Sequence, residues 1–193
     1  MGESLLTLRR ATERDHGVII RLIDEAAEWL RTKNTDQWAQ PWPSKEDRST
    51  RIRRDLRAGK TSIAWDRDGG PVATLTADSD DSPIWPKEAQ HVRAVYVCRV
   101  VVSRSHSGLG IGAALLDWAG LRALQRYGAH WIRIDVWTTN RALHGYYRTQ
   151  GFEFYGFCEA VDSYPAAALF QKPTGSIRPA RPALFRLRPP LDG

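Results

Sequence analysis

Two clusters of residues in this 193-residue chain have the types and spacing to do chemistry. The first is Ser107-Gly108-Leu109-Gly110-Ile111-Gly112-Ala113, which follows the β-branched run Val100-Val101-Val102 and leads into a helical apolar pattern at Leu115, Trp118 and Ala119. Strand, glycine turn and helix start together make an anion site. The first-turn N–H groups of a helix have no partner within it, and the macrodipole adds partial positive charge there. Residues without Cβ let phosphate oxygens approach the backbone. The second cluster, Asn140-Arg-Ala-Leu-His-Gly-Tyr-Tyr147-Arg-Thr-Gln-Gly151-Phe152, puts a capping side chain and a phenol on one short helix. A phenol suits proton donation because it is protonated at neutral pH.

The turn is not a triphosphate loop, since Gly112 is followed by Ala113-Ala114 where Gly-Lys-Ser/Thr is required, and it is not a G-x-G-x-x-G dinucleotide turn. It resembles motif A (R/Q-x-x-G-x-G/A) of the GCN5-related N-acetyltransferases, with Gly110 and Gly112 as the two glycines and Ser107 departing from the Arg/Gln position. The Asn140 to Phe152 cluster resembles motif B of the same family. The resemblance runs from about Leu6 to Lys172 and is strongest from Val95 to Phe157.

It implies a mixed α/β (α+β) fold, a central mixed β-sheet splayed between two parallel strands and flanked by helices. It also implies acetyl-CoA as co-substrate; no metal is expected, on the residue spacing given below. Backbone N–H groups from Ser107 through Gly108, Leu109, Gly110, Ile111 and Gly112 to Ala113 would hold the diphosphate. The strand edge at Val100, Val101 and Val102 would pair with the pantetheine arm. Asn140 would bond that arm or fix the local backbone, and Tyr147 would protonate the leaving thiolate. The base is less defined. Cys98 sits where some family members carry His or a carboxylate, and Asp135, Glu88 and His91 are the other candidates. Strand alternation puts Tyr96, Cys98, Val100 and Val102 on one face.

The expected reaction is direct transfer of an acetyl group from the CoA thioester to a primary amine, of a small molecule or a peptide. The alternative is a non-catalytic acyl-CoA sensor on the same fold. Cys98 in place of a basic side chain favours the sensor; Tyr147 with Asn140 favours the enzyme. Trp38 and Trp42, in the loop Thr32 to Pro43, together with Tyr96 are candidates for the acceptor wall. The acidic stretch DSDDSPIWPK from Asp78 leans slightly towards a cationic acceptor.

Composition narrows the classes. The net charge is +6, and the last 22 residues hold five cations against one carboxylate, so the body is nearly balanced and a nucleic-acid partner is not expected. Two cysteines form no metal or disulfide framework, which suits a reducing cytoplasm. No apolar run is long enough to span a membrane. Neither His106 nor His144, the latter expected on a helix surface, has a partner at metal spacing. A homodimer is left open.

The remaining elements follow from pattern. Leu5 to Arg10 alternates as a strand. Thr12 and Asp15 make a capping box before a helix with Ile19, Leu22, Ile23, Ala26 and Leu30 on one face. Ser44 and Asp47 cap a charged helix to about Ala58, and Asp66 to Gly70 joins two strands as a hairpin. The central strand reads Val92 to Val102, the next helix Gly110 to Tyr127 with Gly128 as its stop, and the next strand Trp131 to Val136. Phe152 to Phe157 and Ala166 to Gln171 are closing strands. One domain spans residues 1–172, and 173–193, with five prolines and four arginines, is an extended tail.

Overall fold

The computed structural model describes residues 6–33, 35–39, 44–80, 82–160, 165–178 and 184–188. Strand β1 (Leu6–Arg10) leads to the Thr12–Asp15 box, in which the Asp15 carboxylate accepts from the Thr12 N–H at 2.8 Å. Asp15 also takes both ends of the buried Arg9 guanidinium, at 2.7 and 2.8 Å, and so ties the helix entry to the strand. Helix α1 (His16–Arg31) buries Ile19, Leu22, Ile23, Ala27 and Leu30. Helix α2 (Lys45–Arg57) starts where Ser44 Oγ accepts from the Asp47 N–H, and its buried apolar residues are Ile52 and Leu56. The hairpin strands β2 (Thr61–Trp65) and β3 (Pro71–Asp78) follow. A single turn, α3 (Lys87–Gln90), precedes β4 (Ala94–Val102). Then come α4 (Ile111–Tyr127), β5 (Trp131–Trp137), α5 (Arg141–Thr149), β6 (Glu153–Cys158), β7 (Ala167–Pro173) and β8 (Phe185–Arg188).

The strands form one mixed sheet ordered β6-β7-β5-β4-β3-β2-β1-β8. Among the described residues only the β4–β5 and β1–β8 pairs are parallel. The sheet has an apolar layer on each face. One joins α4 residues such as Leu115, Leu116 and Ala119 to Val95 and Val97. The other joins α1 and α2 through Ile19, Ile23, Ile52 and Leu56 to Val101. Val95 and Val97 face α4, so unbroken alternation would put Val101 there too. It lies on the opposite face, with Val100 and Val102 turned towards α4.

A bulge at Arg99 causes the switch. Thr76 pairs with Cys98 and Thr74 with Val101, so Arg99 and Val100 stand opposite Leu75 alone. Arg99 has φ 52°, a left-handed conformation that costs an ordinary residue about 1–2 kcal/mol. Its guanidinium reaches the buried Asp55 of α2 and, at 3.3 Å, Thr76 Oγ1. Tyr96 and Cys98 therefore do not share a face with Val100 and Val102, contrary to the alternation expected from the sequence. The β4–β5 ladder runs from Ala94/Trp131 to Val97/Ile134 and stops there. Beyond it β4 keeps β3 and β5 keeps β7, and the sheet is open between them.

Within the segment read as an extended tail, Phe185–Arg188 adds a strand beside β1, and Ile177 is buried in the α4 layer. His144 is buried rather than on a surface: its Nε2 lies 3.0 Å from the Trp137 carbonyl oxygen and its ring packs on Phe170. Among the described residues no helix is long and apolar enough to cross a membrane.

Asp55 compensates two arginines, Arg54 and Arg99, from a buried position. Removing one partner of a buried pair costs about 3–5 kcal/mol. Asp55→Ala should therefore lower the melting temperature by about 6–20 °C in a chain of this size. A shift of about 1 °C or less in calorimetry would show that the bulge does not depend on this carboxylate.

Candidate active site

The opening between β4 and β5 continues into a cavity of about 1160 Å³. That exceeds the roughly 300–1,000 Å³ of a site for one drug-sized ligand, and so leaves room for a large donor with an acceptor. Its walls come from both sides of the sheet: the glycine turn, α4 and α5 on one, α1 and α2 on the other.

The turn begins with a short 3₁₀ segment, Arg104–His106. The Ser107 N–H donates to the Arg104 carbonyl at 3.3 Å, so this amide is already engaged. The Ala114 N–H is the first to bond back along α4, to Gly110 O at 3.0 Å, which leaves the amides before it without intrahelical acceptors. Gly108 and Gly110 have φ 81° and 72°, and a Cβ on either would meet nothing within 4 Å. The space over the turn is open. At Gly112 a Cβ would lie 2.8 Å from the Tyr146 hydroxyl, so glycine there lets that phenol close over the first turn of the helix. Ser107, Gly108, Gly110, Ile111, Gly112 and Ala113 all line the cavity; Leu109 is 63% exposed and does not.

Val100, Val101 and Val102 line the same cavity, as do Cys98, Asp135, Asn140 and Tyr147. The Tyr147 ring is buried against Phe152 and Phe170. Burial, with Tyr146, Asp135 and Cys98 nearby, pushes its hydroxyl far above the ordinary phenol range, so it stays protonated. Burial likewise raises the Cys98 thiol, only partly offset by Arg99. A thiol held protonated is neither a base nor a ready nucleophile at neutral pH. Asp135 differs. Although it touches the cavity, it is ringed by protein, and burial pushes its carboxyl up to about 6 against the pull of its own N–H. Asp135 is the one carboxylate among the described residues lining the cavity.

Asn140 works on the protein itself. Its Oδ1 accepts from the Leu143 N–H at 3.1 Å and its Nδ2 donates to Gln37 Oε1 at 2.8 Å. Thr139 Oγ1 donates to Asp36. These bonds pin residues 35–39 against the start of α5 and hold Trp38 at φ 62° on the cavity wall. Trp38 also packs on the α1–α2 layer, so the ring both lines the cavity and covers the core edge. Trp42 lies outside the described residues. Tyr96 is not part of the wall; it packs on Trp85 and accepts from Arg133 at 3.2 Å. Glu88 and His91 are exposed near α3, away from the cavity.

Gln37, Trp29 and Arg99 line the cavity without any sequence signal, and Arg48 and Arg51 line it with only a faint one. The two arginines of α2 stand three apart, and that spacing was the available clue.

A family model described as Acetyltransferase (GNAT) family matches residues 23–152. An uncharacterised N-acetyltransferase, YesJ of Bacillus subtilis (strain 168), is 30% identical over 155 residues, 76% of this chain and 81% of the relative. Among solved structures, a GNAT-family acetyltransferase from Listeria monocytogenes 4b F2365 superposes with TM-score 0.69 and 22% identity, over 87% of this chain and 94% of that one. Another from Streptococcus agalactiae 2603 gives 0.68 and 18%, over 87% and 95%. With the family model spanning well over half of the sequence and the opened sheet seen in the fold, the chain is an acetyltransferase of the GNAT family.

Proposed function

We propose that the protein transfers an acetyl group from acetyl-CoA directly to a primary amine bound with it in one ternary complex. The observation that carries this is the end of the β4–β5 ladder at Val97/Ile134, where one cavity collects the glycine turn, Tyr147 and Asp135. In this reading residues 1–172 form the catalytic unit, with 173–193 as an appendage docked through β8.

The open amides from Gly108 to Ala113 suit a diphosphate, and the free edge of β4 beyond Val97 suits the amides of an extended arm. An N–H of that edge donates to the thioester oxygen as negative charge grows on it, an interaction that strengthens towards the tetrahedral state. Asp135, or a water held by it, takes the proton of the attacking amine. The N–C bond forms, the C–S bond breaks, and Tyr147 donates its proton to the leaving sulfur. The raised hydroxyl of Tyr147 fits a group that must hold its proton until the thiolate develops. The sensor alternative drew on Cys98 in place of a base, and Asp135 in the same cavity supplies the group it lacked.

Tyr147→Phe is expected to lower turnover by about 10²-fold or more, the general-acid range, with the KM for acetyl-CoA little changed. Wild-type turnover in the variant, followed by thiol release, would remove Tyr147 from the chemistry.

Asp135 yields a second prediction. As the base it must be ionised, so kcat/KM should rise with pH through about 6 and then level. Asp135→Asn should abolish that inflection. The same carboxyl is raised above its unfolded value, so its proton stabilises the fold fully below about pH 4, and that contribution is lost as pH passes about 6. Relative to wild type, Asp135→Asn should therefore melt higher at pH 8 than at pH 4. An equal difference at both pH values would contradict the raised carboxyl.

A further inference from the structure

The charge around the acceptor side of the cavity is one-sided. On the α1–α2 face the wall includes Lys33, Arg48, Arg51 and Arg99, whereas Asp135 is the one carboxylate among the described lining residues. The acids that accompany Arg48 and Arg99 stand behind the wall. Asp24 accepts from Arg48 at 2.8 Å and is largely exposed, and Asp55 holds Arg99 from within α2; neither lines the cavity. Two acids of the stretch after β3 are directed elsewhere: Asp78 and Asp80 both take the Lys60 ammonium, at 2.8 and 2.6 Å. An acceptor with a second ammonium would meet like charge on this wall and no carboxylate besides Asp135. The same lobe is apolar between its cations, through Ile23, Trp29, Leu30 and Trp38.

We propose that the acceptor is an amine that also carries an anionic oxygen group, a carboxylate in the simplest case, next to an apolar body: an amino acid with an apolar side chain. This rests on the transferase reading above. Arg48 and Arg51, one turn apart on α2, present guanidinium groups to that anion, a pairing of the strong charge-assisted kind. Arg99 is committed to Asp55 and shapes the wall, whereas Arg48 gives Nη1 to Asp24 and keeps a buried Nε that has no partner among the described residues. The cations have a second effect: like charge nearby lowers the pKa of the bound ammonium, which eases loss of its proton towards Asp135.

The test uses the purified full chain with acetyl-CoA and follows thiol release on matched sets: phenylalanine, leucine and methionine, their amides, and the corresponding decarboxylated amines. The expected result is a kcat/KM for at least one acid about tenfold or more above those of its amide and amine, the return of one hydrogen bond to a charged group. Arg51→Gln should raise the KM for that acid about tenfold, with the KM for acetyl-CoA shifting less than about twofold, and Arg51→Lys should recover part of the loss. Should Arg51→Gln fail to fold, the wild-type substrate sets decide alone. Equal or better use of the amides or amines overturns the inference and leaves the transferase reading intact. So does an Arg51→Gln effect confined to acetyl-CoA, which would assign the guanidinium to a donor phosphate. No thiol release with any amine, while coenzyme A still binds, contradicts the transferase reading itself, and this inference falls with it.

Discussion

One backbone residue in an uncommon conformation underlies the site. Arg99 lies in the left-handed region, inserted as an extra residue between the Cys98 and Val101 pairings with β3. Its strain is held by its own side chain, which reaches the buried Asp55 across the sheet. The extra residue reverses which face the last part of β4 presents and coincides with the end of its ladder with β5. Without that interruption the hydrogen bonds of two parallel strands would fill the space that the cavity occupies. The site is thus a controlled failure of sheet pairing, kept open by an ion pair from a helix on the opposite face from α4.

The walls are fixed by similar links between distant parts of the chain. Asn140 caps α5 with one end of its amide and holds Gln37 with the other, so the helix carrying Tyr147 and the loop carrying Trp38 are set relative to each other. Burial then tunes three groups around one void in different ways. Tyr147 and Cys98 are driven to remain protonated, while Asp135 is brought near neutrality, where a carboxyl can exchange a proton at working pH. A shared low-dielectric setting separates donor from acceptor, because phenol and carboxylic acid start from different intrinsic values.

Much of this was legible in the chain. Glycine spacing at Gly110 and Gly112, the caps at Ser44 and Asn140, and the helical stripe from Ile19 to Leu30 are local signals, and each is found in place. What local pattern could not supply was pairing at a distance. Nothing in the run from Tyr96 to Val102 marks which residue is extra, so alternation was carried through it and Tyr96 was set on the cavity wall. A short strand at Phe185–Arg188, among prolines and arginines, has too few residues to show a period; its evidence is a partner strand nearly 180 residues earlier. Arg48 and Arg51 look like ordinary charges of a surface helix until α2 is placed against the opened sheet. The imidazole of His144 reads as solvated until the Trp137 carbonyl is brought to it.

Acetyl transfer by this chain requires the opened strands and the glycine turn to act together as a coenzyme A site. Calorimetric titration of the purified protein with coenzyme A and, separately, with pantetheine tests that dependence. Saturable binding of one coenzyme A per chain is expected, with pantetheine, which lacks the diphosphate, about tenfold weaker or more. No heat at millimolar coenzyme A, or equal affinity for the two, would contradict it.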